Sequence, residues 1–273
     1  MTAIPETIDL ATIKRRQQAM WASGDFGRIA SLIHVVAERL VDSADLVAGS
    51  RVLDVAGGTG NAAIAAARCG CQVTCTDYVP ALLERGRARA RAEGLEILFA
   101  EADAEALSCQ DGAYDAVLSV FGSMFAPHQD RAAGELLRAC RPGGLIALAS
   151  WTPEGFLGDF FRATAAHVPP PDGVPSPFVW GTEEGIADLF GEEVFAPRMR
   201  RRTFTWRFRD AREFVAVMRA YYGPTLKAFE AVGADGADAL ERDLVEVVER
   251  WARPVFGSIA VPAEYLEVVA VRR

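Results

Sequence analysis

Histidine is scarce in this sequence, and so is every pattern that would organise it. His34, His128 and His167 are the only three among 273 residues, and none lies at metal-ligand spacing from another. No arrangement of Ser, His and Asp suggests a nucleophilic triad. The five cysteines are an odd number without framework spacing, which fits reduced thiols in a cytoplasm better than a disulfide-stapled secreted chain. Cys69, Cys71 and Cys75 lie close in sequence, but no histidine accompanies them. Cys71 and Cys75 at period two read as core residues of a strand, and no metal is expected. A basic surplus is also missing. The net charge of −8 argues against a nucleic-acid partner, because neutralising phosphates requires a positive face. The one basic run, Arg198 with Arg200, Arg201 and Arg202, reads as a solvated strand or loop edge. No apolar stretch approaches the ~20 residues that cross a bilayer. The opening "MTAIPETIDLATIKRRQQ" lacks the basic-then-apolar order of a secretory signal.

What is present is apolar surface and glycine. With 51% of residues hydrophobic, the chain can build one large domain or a core with an elaborated cap. Helical spacing of Phe26, Ile29, Ile33, Val36, Ala37, Leu40 and Val41 predicts an amphipathic helix over 26–46, preceded by another over 10–21. From Arg51 the pattern alternates. "RVLDVA", "QVTCTD", "LEILFAEAD" and "YDAVLSVFG" read as strands, with helices over 61–68, 80–92 and 129–140. Pro142 and its glycines then predict a sharp turn into a fifth strand, "LIALASW". Strands alternating with helices of this length predict a doubly wound α/β sheet.

After Trp151 the reading is sparser. "VPPPDGVPSPF" predicts a loop, Thr182 caps a helix over 182–190, and Phe204, Trp206 and Phe208 alternate as a half-buried strand over 203–208. Helices follow over 210–221 and 239–251, and "EYLEVVAVRR" closes the chain as a strand.

The glycine loop "VAGGTGN" follows the first strand. Gly58, Gly60 and Ala63 satisfy G-x-G-x-x-A, a weak signal that a nicotinamide enzyme would also carry. Asp77 ends the second strand, where a carboxylate can accept from both hydroxyls of a ribose or cap the next helix. Asp54, just ahead of the glycines, would repel a pyrophosphate and attract an ammonium. Asp103 in "EADAE" can accept from an adenine amino group, and the Ala104 amide can donate to a ring nitrogen.

The collinear series "VLDVAGGTGN", "CTD", "EADAE", "YDAVLSVFGSMF" and "LLRACRPGGLIALASW" resembles the class I S-adenosylmethionine (SAM)-dependent methyltransferases across Arg51 to Trp151. It is most similar to their small-molecule branch, which includes ubiquinone/menaquinone-type and natural-product enzymes. The family's usual first glycine is Ala56 here. The resemblance implies a Rossmann-like seven-stranded sheet ending in an antiparallel hairpin, with a helical cap. It divides the chain into N-terminal lid helices (1–47), a SAM-binding core (48–208), a helical insertion as substrate cap (209–262) and a final strand (263–273).

Carried over by position, Ala56, Gly57 and Gly58 line the methionine tail with Asp54 in support. Asp77 takes the ribose, Tyr78 flanks the adenine, Asp103 and Ala104 meet its edge, and Ser119 lies beside the sulfonium. Trp21 closes over the cofactor. Phe121, Met124, Phe125 and Trp151 suggest an apolar aromatic substrate floor, with Tyr221 and Tyr222 contributed by the cap. His128 and Tyr222 are the candidates for a catalytic base or an orienting phenol, while His34 and His167 read as structural or loop residues. The expected reaction is cytoplasmic methyl transfer in secondary metabolism to a small, largely apolar acceptor at O, N or C. Oligomeric state stays open, a homodimer included. Two alternatives remain at this level: a SAM-binding protein with a pericyclase-like or regulatory role, and an NAD(P)-dependent oxidoreductase.

Overall fold

The computed structural model describes residues 10–171 and 173–273. The first nine residues of the opening segment, and Asp172 of the proline-rich loop, lie outside the described residues. Two helices lead in, α1 (Leu10–Ala22) and α2 (Phe26–Ala44). The alternating half then runs β1 (Arg51–Val55), α3 (Asn61–Arg68), β2 (Gln72–Asp77), α4 (Pro80–Ala92), β3 (Ile97–Glu101), β4 (Tyr114–Val120), α5 (Gln129–Ala139) and β5 (Cys140–Trp151). The strand order is β3-β2-β1-β4-β5, all parallel, and it continues through the chain's last strands. Val52, Leu53 and Val55 are buried, as continuous apolar runs are when helices cover both faces of a parallel sheet. α2 turns Ile29, Ile33, Val36, Ala37, Leu40 and Val41 into that core, the face its spacing predicts.

Chain direction across the sheet reverses between β1 and β4. A crevice opens there at the carboxyl ends of the strands, where open α/β sheets bind ligands. Register places Asp54 opposite Cys75, so the loops after β1 and β2 emerge side by side.

The second half departs from the sequence reading in five places. "RPGG" is not a free turn: Cys140 already pairs with Tyr114 and Leu145 with Ala116, so Arg141–Gly144 bulge out of β5 itself. A helix not anticipated, α6 (Phe156–His167), follows β5, and His167 therefore ends a helix rather than sitting in a loop. After α7 (Glu183–Phe190), capped by the Thr182 hydroxyl as expected, β6 spans Val194–Phe208, far longer than six residues. After α8 (Ala211–Tyr221), Gly223-Pro224 opens a further helix, well ahead of the one expected over 239–251. α9 runs Gly223–Trp251 with Pro in its first turn and a kink at Gly233.

Lastly, a short strand, β7 (Arg253–Val255), forms a hairpin with β8 (Ser258–Arg272). β8 thus begins inside the 209–262 segment expected to be wholly helical insertion. It lies antiparallel between β5 and β6, giving the seven-strand path β3-β2-β1-β4-β5-β8-β6 with β7 as an eighth strand beside it.

Two of the four arginines in the basic run on β6 are ion-paired, while Arg198 and Arg200 are exposed as a solvated edge would be. Arg201 meets Glu154 and Glu264, and Arg202 meets the buried Glu267 at 2.8 Å. Cys75 is buried in the core and Cys71 lies just before β2, whereas Cys69 is exposed. No described helix is long and apolar enough to cross a membrane.

Candidate functional site

The crevice holds a cleft of about 280 Å³, walled by the loop after β1, the ends of β2 and β4, the loop after β3 and the inner face of α1. Its glycine loop is shaped by what lies beneath. Asp54, 1% exposed, accepts from the Ala63 amide through Oδ2 at 2.9 Å. A Cβ on Gly57 would stand 2.5 Å from that same oxygen, so only glycine leaves room for the carboxylate. Ala56 takes φ 51° and Gly58 φ 58°, so the turn survives with alanine in the first position, held in a left-handed conformation costly for a residue with a Cβ. The Gly57 amide donates to the Thr76 carbonyl, fixing the loop to β2.

Asp77 takes the local role considered for it and keeps its place on the cleft wall. Oδ1 accepts from the Val79 amide and Oδ2 from the Gly58 amide, each at 2.9 Å. It therefore organises the start of α4 and joins the two loops, while still lining the cleft. Burial raises Asp77 to about 6. Burial, with the nearby Asp77 charge adding to it, raises Asp54 to about 7. The Asp54 Oδ1 atom is buried and has no hydrogen-bond partner. Two buried carboxylates face a cleft in which neither has an ion-pair partner. That donor set fits a ligand bringing an ammonium and ribose hydroxyls, and it disfavours a pyrophosphate.

The end of the cleft beside Asp103 and Tyr78, where the resemblance would put an adenine, is more crowded than the sequence implied. Asp103 accepts from the Lys14 ammonium at 2.6 Å and from the Glu105 amide at 2.9 Å. Glu105, 3% exposed, also meets Lys14, at 2.5 Å, and accepts from the His128 amide at 2.7 Å. Gln18 donates to the Tyr78 carbonyl at 2.5 Å and Gln17 to that of Phe125 at 3.3 Å. Lys14, Gln17, Gln18 and Trp21 thus form one face of α1, laid across the cleft. Their i, i+3, i+4, i+7 spacing was legible, but the residues are polar and an apolar search passes over them. Tyr78 and Ala104 line the cleft as expected.

Beside the cleft lies a smaller chamber of about 30 Å³. Trp21, Phe26, Ile33, Phe121 and Phe125 wall both spaces. Phe121, at φ 53°, stacks on Trp151 with centroids 3.7 Å apart, while Trp21 packs edge-on against Phe125 and Tyr222. Trp206 and Phe160 complete the aromatic wall, neither foreseen as site residues. Trp206 had been visible only as one member of an alternating strand.

Four predicted site residues stand elsewhere. The Ser119 hydroxyl donates to the Val55 carbonyl and accepts from both the amide and the hydroxyl of Ser123, all at 2.9 Å. It staples β4 to β1 and is off the cleft wall. Met124, 1% exposed, packs in the core. His128 stands at the N-terminal boundary of α5, one residue past the wall, which ends at Pro127. Tyr221 lies under the Arg28 guanidinium, outside both spaces. Of the other histidines, His34 contacts the Ser31 carbonyl and His167 pairs with Asp243 at 2.7 Å.

Comparison with known proteins agrees with this geometry. Residues 52–144 match the model of a methyltransferase domain. An uncharacterised Mycobacterium tuberculosis protein is 40% identical over 252 residues, covering 91% of this chain and 92% of that one. The demethylmenaquinone methyltransferase of Thermus thermophilus is 39% identical over 136 residues, 48% of this chain and 62% of its own. Among solved structures, the YcgJ protein of Bacillus subtilis superposes with a TM-score of 0.62 at 17% identity, covering 88% of this chain and 99% of that chain, a likeness of fold. The fold and its switch-point cleft are those of a Rossmann-like α/β protein. The chain belongs to the class I SAM-dependent methyltransferases, with SAM as its cofactor. The nicotinamide alternative falls with that assignment.

Proposed function

We infer that this methyltransferase acts on a small, largely apolar acceptor, aromatic, polyketide or terpenoid-like, at O, N or C. The observation that carries the reading is the chamber of aromatic rings sharing a wall with the cofactor cleft. When bound, SAM supplies a methyl group on an already activated sulfonium. The protein's task is then alignment and exclusion of water, which can be worth ~7–11 kcal/mol.

In this reading Asp77 accepts from the ribose hydroxyls with the lone pairs its two amide bonds leave free. Asp54 and the loop Ala56-Gly57-Gly58 hold the methionine tail, Tyr78 flanks the adenine, and Asp103 with the Ala104 amide meets its edge. Trp21 closes the junction between cleft and chamber. Phe121, Phe125 and Trp151 form the acceptor's floor, and Tyr222, whose phenol burial pushes above its ordinary value, stays protonated and orients an oxygen as a donor. Residues 1–47 serve as lid, 48–208 as core and 209–257 as substrate cap. The reading keeps the enzyme cytoplasmic, in secondary metabolism, consistent with five unpaired thiols.

Methyl-labelled SAM incubated with hydroxylated aromatic and terpenoid acceptors tests it. The reading expects label in an organic-extractable product. Label transferred only to polar amines or to protein would contradict it.

A further inference from the structure

We propose that the acceptor enters as its own anion, an acidic phenol or enol on an apolar ring system, and that Trp206 and Tyr222 hold the charged oxygen. The inference rests on the methyltransferase reading above and adds the acceptor's chemical class and one anchoring residue.

The chamber's described wall consists of eight aromatic and four aliphatic side chains. It contains no carboxylate, imidazole or amine, so nothing in it can take a proton from a neutral phenol. The charged groups of the adjoining cleft are Lys14, Arg15, Asp54, Asp77 and Asp103. Asp77 and Asp103 are engaged by the loop amides or by Lys14. Asp54, whose Oδ1 alone is unpartnered, lines the cleft but not the chamber, and is the carboxylate this reading gives to the ammonium of the methionine tail. Arg15 bonds Thr12, and His128 stands off the wall. Tyr222 is a poor base for the reason that makes it a good donor.

What the chamber does offer is donors. The Trp206 side chain is 2% exposed and its indole N–H has no partner, a costly state for a buried donor. An indole N–H can only donate. Tyr222, 9% exposed, packs its ring on Trp21, Phe26 and Phe161 and has no hydrogen bond to its hydroxyl. A wall with two free donors and no base suits an anionic oxygen. At about 30 Å³ the chamber takes that oxygen end alone, the acceptor's ring extending along the shared wall into the adjoining cleft.

The reaction then balances without an enzyme base. The acceptor loses its proton to solvent before binding. Its lone pair, on oxygen or on the conjugated carbon, forms the new bond to the methyl carbon. The carbon–sulfur bond breaks, its electron pair stays on sulfur, and both products are neutral. Charge is annihilated on the way to the transition state, so an apolar wall favours the reaction over the hydrated ions.

The test reads binding rather than turnover. The probe is 4-nitrophenol, whose absorbance reports its charge, titrated into protein saturated with sinefungin, a SAM analogue carrying an amine where the sulfonium would be. The expected result is a bound probe that ionises at lower pH than in water, and about tenfold weaker binding of uncharged 4-nitrotoluene. Trp206→Phe should weaken nitrophenolate binding about tenfold, the scale of one hydrogen bond to a charged group, while leaving nitrotoluene binding unchanged. Tyr222→Phe provides the same comparison should Trp206→Phe melt early. A probe bound in its neutral form, or equal affinity for the two probes, would overturn the proposal alone. Failure of sinefungin itself to bind would overturn the cofactor reading and this proposal with it.

Discussion

The two buried carboxylates are where single atoms decide most. Asp77→Ala removes an ionised acceptor and should weaken SAM binding by roughly 1.5–3 kcal/mol, measured by calorimetry on variant shown to be folded. Unchanged affinity would put the ribose elsewhere. Burial pushes the Asp54 and Asp77 carboxyls up to about 7 and about 6, above the ordinary aspartate value of about 3.9. Because both are raised by folding, the native state holds more protons than the unfolded state between those values. Their contribution to stability is present below about pH 4 and is lost as pH rises through 6 and 7. The ligand-free protein should therefore lose stability from these groups between about pH 4 and 7, and Asp54→Asn should flatten that slope in urea titrations. An ammonium beside Asp54 reverses the cause of the shift. SAM binding should release protons near pH 6.5 and tighten as pH rises from 5.5 to 7.5. A pH-independent affinity would show that Asp54 is not facing the cation.

At the scale of elements, α1 lies over the cleft through polar contacts: Lys14 to Asp103 and Glu105, Gln17 to Phe125 and Gln18 to Tyr78. The Lys14–Asp103 pair is partly exposed and worth about 0–1 kcal/mol, but Glu105 is buried and keeps only the His128 amide once Lys14 is removed. Lys14→Ala should therefore lower the unfolding midpoint as well as raise amide exchange across 10–22, with Lys14→Ala/Glu105→Gln recovering the midpoint but not the protection. Equal exchange in both proteins would place the hold on α1 with Trp21 instead. The same helix shows why sequence legibility was uneven. α2 was read almost residue for residue because its apolar stripe is continuous. α1 was read as a helix but not as a cleft wall, because its functional face is polar apart from Trp21. His128 was chosen for its position after β4, and one residue of offset at the start of α5 takes it off the wall. Ser119 and Met124 sit in the right segment, but strand alternation and a tight turn direct them to the core. No motif marks which way such side chains face.

For the molecule as a whole, the alternating half was legible because parallel strands with short helices leave a strong period. The antiparallel half was less so. β6 carries arginines where an amphipathic strand would alternate, and their partners Glu264 and Glu267 come from β8, more than sixty residues later. That cross-strand pairing also gives the sheet a vulnerable point. Glu267 is 2% exposed, and removing its partner leaves a buried charge uncompensated. Arg202→Met should cost about 3–5 kcal/mol in urea unfolding, with the Arg202→Met/Glu267→Leu double variant recovering much of it. A loss below 1 kcal/mol would mean that water reaches the pair.

The central claim is that the loop Val55–Asn61 holds the methionine tail of SAM, and calorimetry of SAM and S-adenosylhomocysteine, with NADH as control, tests it most directly. The account predicts saturable one-to-one binding of both adenosyl ligands and none of NADH. Binding of NADH in their place would contradict it.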